Sequence, residues 1–208
     1  MDDRIKRWYE RQDKISLFLS IFVFFVSLVV YLRTMAPTAS FWDCGEFIAC
    51  SYILGVPHPP GTPLFILIGR VFTLIPLYGE IAARVNFISV LSSALTVWLC
   101  YLLIVKLVGY WEKQNESLWI KVGKYVGGVA GSLFLAFSDT FWANAVEAEV
   151  YGVSMFLMLL ILYLGLLWMD RRDTPKGDRL LILIAYLGLL STGIHMTAFL
   201  IMPAVFLL

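Results

Sequence analysis

An all-α, polytopic membrane architecture is predicted by three observations. Hydrophobic residues make up 60% of the 208 and the mean hydropathy is +0.82. Several uninterrupted apolar runs approach the ~20 residues that a helix needs to cross a bilayer. The basic residues are also not scattered: they fall in clusters between alternate runs, the pattern that sets orientation in a membrane. The net charge of +1 is uninformative as a total, and nucleic acid is excluded as a natural partner.

Taken in order, residues 1–14 form a basic cytoplasmic segment that leads into a first span, Ile15–Leu32. No small-x-small cleavage pattern follows in Arg33-Thr34-Met35-Ala36-Pro37, so this span is expected to stay as an anchor. Further spans are expected at Ala82–Val105, Val122–Phe137, Val150–Met169 and Leu180–Ile194, with a sixth beginning near Met196 and still incomplete at Leu208. That ending reads as the N-terminal part of a longer membrane domain. The run Leu64–Leu77 is different: about 14 residues reach only roughly 21 Å as a helix. With Arg70 at its centre and Pro76 near its end, it should lie along the surface or re-enter.

Thirteen of the sixteen basic residues arbitrate the topology. Arg4, Lys6, Arg7, Arg11 and Lys14 precede the first span, Lys106, Lys113, Lys121 and Lys124 follow the second, and Arg171, Arg172, Lys176 and Arg179 follow the fourth. All three groups are cytoplasmic only if Leu64–Leu77 does not cross. The opposite face then receives the long loop 33–81, the loop Ser138–Glu149 and a turn around His195. The sequon-like Asn115-Glu116-Ser117 falls on the cytoplasmic side.

The unusual polar residues, Asp43, Glu46, His58, Glu80, Asp139, Glu147, Glu149 and His195, fall on that outward face, whereas the cytoplasmic loops hold mainly Lys and Arg with ordinary solvating acids. Phe41-Trp42-Asp43-Cys44-Gly45-Glu46-Phe47 places two carboxylates at i and i+3 beside a span, where unpaired charge is costly and therefore suggests function. A helix over Phe41–Leu54, ending at Gly55 and Pro57, would let Ser40 and Asp43 form a capping box. Its N-terminus would equally attract phosphate. Asp43, among aromatic neighbours, is the first candidate for a general base and Glu46 the second. His58, held in the turn His58-Pro59-Pro60-Gly61, is either a turn residue or a substrate contact. Arg70 and Arg84 suit a lipid-linked phosphate, with snorkelling to headgroups as the alternative. If the stretch before the fourth span is helical, Glu147 and Glu149 diverge by about 200°, and Glu147 shares a face with Tyr151. His195 is a structural residue or a phosphate contact. Gly127-Gly128-Val129-Ala130-Gly131 reads as helix packing.

These features together resemble the GT-C class of integral-membrane glycosyltransferases. Phe41-Trp42-Asp43-Cys44-Gly45-Glu46, Leu54-Gly55-Val56-Pro57-His58-Pro59-Pro60-Gly61-Thr62-Pro63 and Ala145-Val146-Glu147-Ala148-Glu149-Val150-Tyr151 more narrowly resemble a protein O-mannosyltransferase family formerly classed as a domain of unknown function. The resemblance implies transfer of a sugar, mannose first among candidates, from a polyprenyl-phosphate carrier to a protein or other hydroxyl acceptor. It implies inversion at the sugar carbon, with Asp43 and Glu46 as the catalytic acids. The residues themselves offer His58, Arg70, Arg84, Glu147, Glu149, Tyr151 and His195 as substrate-binding candidates. A divalent metal is compatible with this chemistry but not demanded, and no zinc-ligand spacing is present. The expected membrane is the bacterial inner membrane, active face periplasmic, or the endoplasmic reticulum in a eukaryote. The competing expectations are a transporter or lipid flippase that uses the acids for ions or protons, and a scaffold whose outward loops bind a partner.

Overall fold

The computed structural model describes residues 14–112 and 118–207. The basic residues at 4–11, Lys113 and the sequon at 115–117 lie outside them. The described chain is all α-helical apart from one 3-10 segment, and contains no strand. Its elements are α1 (Lys14–Thr34), α2 (Cys44–Ile53), α3 (Pro63–Leu74), α4 (Ile81–Glu112), α5 (Leu118–Ala136), α6 (Asp139–Ala145), α7 (Val150–Met169), α8 (Pro175–Ser191), the 3-10 turn Met196–Ile201 and α9 (Met202–Phe206).

Among the described residues, three helices are long and apolar enough to cross a membrane: α1, the Ile81–Tyr110 part of α4, and α7. A fourth crossing arises if α5 and α6, bent by 67° at their junction, count as one broken span. The protein is thus an integral membrane protein. In lipid every backbone amide must be paired within the chain, which leaves a long apolar run little choice but a helix.

The helix α4 is the central post, packed against α1, α5 and α7. Its contact with α5 depends on two glycines: a Cβ at Gly128 would stand 2.9 Å from Val105, and one at Gly131 would stand 2.7 Å from Ile104. The close-packing pair is therefore Gly128 and Gly131, three apart, whereas Gly127 faces open space. One core cluster joins α2, α3, α4 and α7 through Phe47, Phe65, Val85 and Val153, and a second joins α1, α4 and α6 through Val23, Tyr31, Val97 and Ala145.

The structure departs from the sequence expectations at four places. First, α2 begins at Cys44, not Phe41, with Asp43 itself at the N-cap and no side-chain cap bond, so the Ser40 capping box does not form. Trp42, in the left-handed region at φ 57°, breaks the helical path just before Asp43. Second, Ser138 to Glu149 contains the short helix α6 where only a loop was expected. Third, the stretch from Val146 to Glu149 is not helical, which removes the premise that set Glu147 and Tyr151 on one face. Fourth, the apolar run after His195 is split into a 3-10 turn and α9, Pro203 sitting in the first turn of the latter.

Candidate functional site

Three connecting segments meet at one end of the helices. The backbone N–H of Ala36 donates to the carbonyl of Val146 at 2.9 Å, joining the first loop to the segment before α7. The N–H of Leu64 donates to the carbonyl of Gly193 at 2.8 Å, joining the start of α3 to the turn after α8. Gly193 is needed at that crossing, because a Cβ there would lie 3.0 Å from Leu64.

On this platform, His58 holds the two early carboxylates together. Its backbone N–H donates to Glu46 Oε1 at 2.8 Å and its Nδ1 donates to Glu46 Oε2 at 2.7 Å. Its other ring nitrogen, Nε2, faces Asp43 Oδ2 at 3.8 Å. The ring rests beside Phe47, centroids 5.9 Å apart, and Phe47 packs in turn on Phe65. The turn is fixed by Leu54 at φ 55°, Gly61 at φ 88° and Thr62 at φ 34°, three left-handed residues within nine. The two hydrogen bonds from His58 hold Glu46 below the usual carboxylate range. The same bond to Glu46, helped by the charges of Asp43, Glu46 and Glu149, raises the imidazole above its ordinary value.

Glu149 is the buried acid of the site, 6% exposed, at the N-cap of α7. Burial, reinforced by the charges of Asp43 and Glu147, pushes it up to about 7. The sequence pointed instead to Asp43 as the desolvated carboxylate, on account of Phe41, Trp42 and Phe47. Phe41 and Trp42 are 83% and 91% exposed, Phe47 is buried against His58 and Phe65, and the Asp43 side chain is itself half exposed. Glu147 is partly buried nearby.

His195 caps the 3-10 turn by accepting from the Thr197 N–H, and its ring lies 5.4 Å from that of Tyr151. Burial first, and the charge of His58 second, lower its imidazole from the ordinary value. Tyr151 also lines a cavity of about 410 Å³, with Leu135, Phe141 and Met155 among its mostly apolar walls and Ser138 and Asn144 among its polar ones. That volume lies in the range of small-ligand pockets.

The two arginines are placed differently. The guanidinium of Arg84 donates to the carbonyls of Tyr78 at 2.7 Å, Thr73 at 2.9 Å and Gly79 at 3.3 Å, closing the chain between α3 and α4. Arg70 donates to the carbonyl of Tyr52 and lies over its ring. Both guanidinium groups are thus engaged with backbone, whereas Asp43, Glu46, His58, Glu149 and His195 form one electrostatically coupled group.

Asp43, Glu46 and His58 each present one donor atom, all within 4.8 Å of one another. Two carboxylates and an imidazole fit a divalent cation of the magnesium, manganese or zinc kind, and they fit equally well a proton carried by His58. Sequence reasoning passed over Asn86 and Ser89, which reach this site from within the apolar run of α4. The available signal was the spacing of Asn86, Ser89, Ser93 and Thr96, which marks one polar stripe on an otherwise apolar helix.

A polytopic helical bundle with a coupled acid and histidine cluster at one end defines a membrane protein built for polar chemistry beside the bilayer. The chain belongs to the family described as the protein O-mannosyl-transferase TMEM260 N-terminal domain, whose model matches residues 43–208. It is 25% identical over 199 residues to a Dictyostelium discoideum protein named protein O-mannosyl-transferase tmem260, covering 92% of this chain and 22% of that protein. It is 27% identical over 178 residues to the Mus musculus protein O-mannosyl-transferase TMEM260, covering 85% of this chain and 23% of that protein. The chain therefore spans less than a quarter of the length of these relatives. No solved structure matches it.

Proposed function

We propose that this chain carries the catalytic end of a GT-C-type membrane glycosyltransferase. It would move a sugar, mannose in the first instance, from a polyprenyl-phosphate carrier to a Ser or Thr hydroxyl of a protein. The observation that carries this reading is the convergence of Asp43, Glu46, His58, Glu149 and His195 at one end of apolar, membrane-length helices. Membership of a family named for protein O-mannosyl transfer supports the reaction class.

In the proposed reaction the acceptor oxygen attacks the sugar's anomeric carbon as the bond from that carbon to the phosphate oxygen breaks. The configuration inverts. Asp43 takes the hydroxyl proton and the carrier leaves as polyprenyl phosphate, its charge met by His58 in the imidazolium form. Of the cationic candidates, His58 takes this role because its ring lies beside the proposed base, 3.8 Å from Asp43 Oδ2. Glu149, with its proton equilibrium near neutrality, sets the charge of the site. The cavity beside Tyr151 supports a lipid-borne donor, since mostly apolar walls among membrane helices suit an isoprenoid chain. With the basic clusters held in the cytoplasm, the acid end faces the periplasm or the endoplasmic reticulum lumen, so no nucleotide sugar is required there.

The test is glycosyl transfer in membranes that contain the full-length protein, offered polyprenyl-phosphate mannose and a Ser/Thr-rich peptide, with Asp43→Asn as control. Transfer abolished by that substitution supports the reading. Failure with every lipid-linked sugar defeats it in favour of the one rival with an observation behind it, a proton-coupled transporter, for which a buried Glu149 would be the natural carrier site.

A further inference from the structure

We infer that Asn86 is the positioning residue that sets Asp43 against Glu149, an inference that rests on the glycosyltransferase reading of that site. Asn86 lies one turn inside α4 and is fully buried. An asparagine side chain offers two N–H donors and an acceptor oxygen with two lone pairs, and here all four are used. Nδ2 donates to the carbonyls of Ala36 at 2.7 Å and Thr38 at 3.1 Å, in the segment that leads to Asp43. Oδ1 accepts from the N–H of Ala148 at 2.9 Å and from the Cys44 thiol at 3.6 Å. Cys44 directly follows Asp43, and Ala148 directly precedes Glu149. A single amide oxygen therefore holds the neighbour of each acid, while the amide nitrogen holds the segment that leads to Asp43.

One turn further along α4, Ser89 repeats the hold on the second segment. Its hydroxyl accepts from the N–H of Glu149 and donates to its carbonyl, both at 3.2 Å. The placement of Glu149 relative to Asp43 is thus set by α4, an element that contributes no acid to the site. Packing does not require this arrangement: an apolar residue would fill the same volume, while leaving four polar groups of the two loops to find other partners. What the amide adds is a fixed separation, the quantity on which proton transfer and in-line attack depend.

The experiment uses the full-length protein in membranes, with polyprenyl-phosphate mannose and peptide as substrates. Asn86→Ala should lower kcat by about 100-fold, the scale of a misplacement near 1 Å, while the KM for the lipid-linked sugar stays within a small factor. Because Ala36 and Val146 are already hydrogen-bonded, the pair Ala36→Cys and Val146→Cys, oxidised, ties the two loops without the amide. That bridge, in a background where it leaves the native enzyme active, should return most of the lost kcat to Asn86→Ala. Should Asn86→Ala fail to fold, Asn86→Ser, which keeps a donor and an acceptor on a shorter arm, is read in the same way. Native kcat in folded protein, a loss that appears as raised KM, or a bridge that restores no kcat would each overturn the inference. If the unmodified enzyme transfers nothing at all, it is the glycosyltransferase reading that fails, so the two failures are distinguishable.

Discussion

His58 binds Glu46 at two points, backbone N–H to one carboxylate oxygen and ring Nδ1 to the other, at 2.8 and 2.7 Å. The clasp closes a twelve-residue excursion of the chain on itself, and it depends on pH because half of it is an imidazole. The folded-state value of His58 is raised, so its contribution to stability is fully present below the unfolded value of about 6.5 and is lost as pH rises through the higher folded value. The advantage of the native chain over Glu46→Gln should therefore be largest near pH 5.5 to 6.5 and should shrink above it. Thermal midpoints of the two proteins across pH 5.5–9 check this. A constant difference would mean that the ring carries no charge in the clasp.

Glu149 supplies a second pH signature. Its burial beside Asp43 and Glu147 places its proton equilibrium at about 7, so the site gains a negative charge as pH rises through neutrality. In the proposed reaction proton abstraction at Asp43 would gain from that charge, so transfer should increase between pH 6 and 8. Glu149→Gln keeps the position neutral throughout and should flatten that limb while leaving a basal rate. The pH profile of kcat measures it, and an unchanged limb in the variant would assign the titration elsewhere.

The approach of α3 to α2 rests on Gly69. A Cβ at that position would lie 2.1 Å from Ser51 Oγ and 2.7 Å from Ser51 Cβ. Gly69→Ala should cost about 1–3 kcal/mol, the usual range for overpacking, and should displace the helix that begins beside Asp43. Adding Ser51→Gly removes the obstructing atoms and should recover most of the loss. Thermal unfolding of the two variants in detergent tests the pair, and additive losses would show that the two residues do not meet.

The cavity beside Tyr151 can be filled from within. Leu135→Trp or Met155→Trp should raise the KM for a long-chain carrier at least tenfold, with little change for a water-soluble, short-chain analogue. Kinetics with the two donors decide the matter: equal effects on both would separate the cavity from the lipid portion of the substrate.

Much of the helical framework was legible in the sequence because an apolar run in lipid has essentially one hydrogen-bonded solution. The run Val150–Met169 is one helix over the same residues, and Pro63–Leu74 is a helix too short to cross a bilayer. The break after α5 was legible as the end of the third span at Phe137, but the helix α6 that follows was not, because so short a helix leaves no periodic signal inside a loop. The acids were legible as acids, but their environments were not. Asp43 has Phe41 and Trp42 beside it in sequence, yet both are exposed and so is much of its own side chain, whereas Glu149 is buried against other elements. The clasp of His58 on Glu46 depends on three left-handed backbone positions, of which only Gly61 announces itself by residue type. Asn86 was hidden for the opposite reason: a stripe of a few small polar residues in a long apolar run does not lower its hydropathy enough to be noticed.

The first helix carries a consequence for how the molecule is made. Tyr31 is fully buried and its hydroxyl donates to the carbonyl of Ala136, 105 residues later. The Thr34 hydroxyl accepts from the Trp142 indole N–H, 108 residues later. During synthesis, which runs from the N-terminus, α1 enters the bilayer long before either partner exists. Ser20 and Ser27 can wait, because their hydroxyls are satisfied by carbonyls of their own helix. The Thr34 hydroxyl likewise donates to the carbonyl of Val30, and Tyr31 lies near the end of α1, where headgroups and water serve as temporary partners. The newborn helix is consequently stable alone but unfinished, and the arrival of α5 and α6 is the event that converts a membrane anchor into a wall of the bundle.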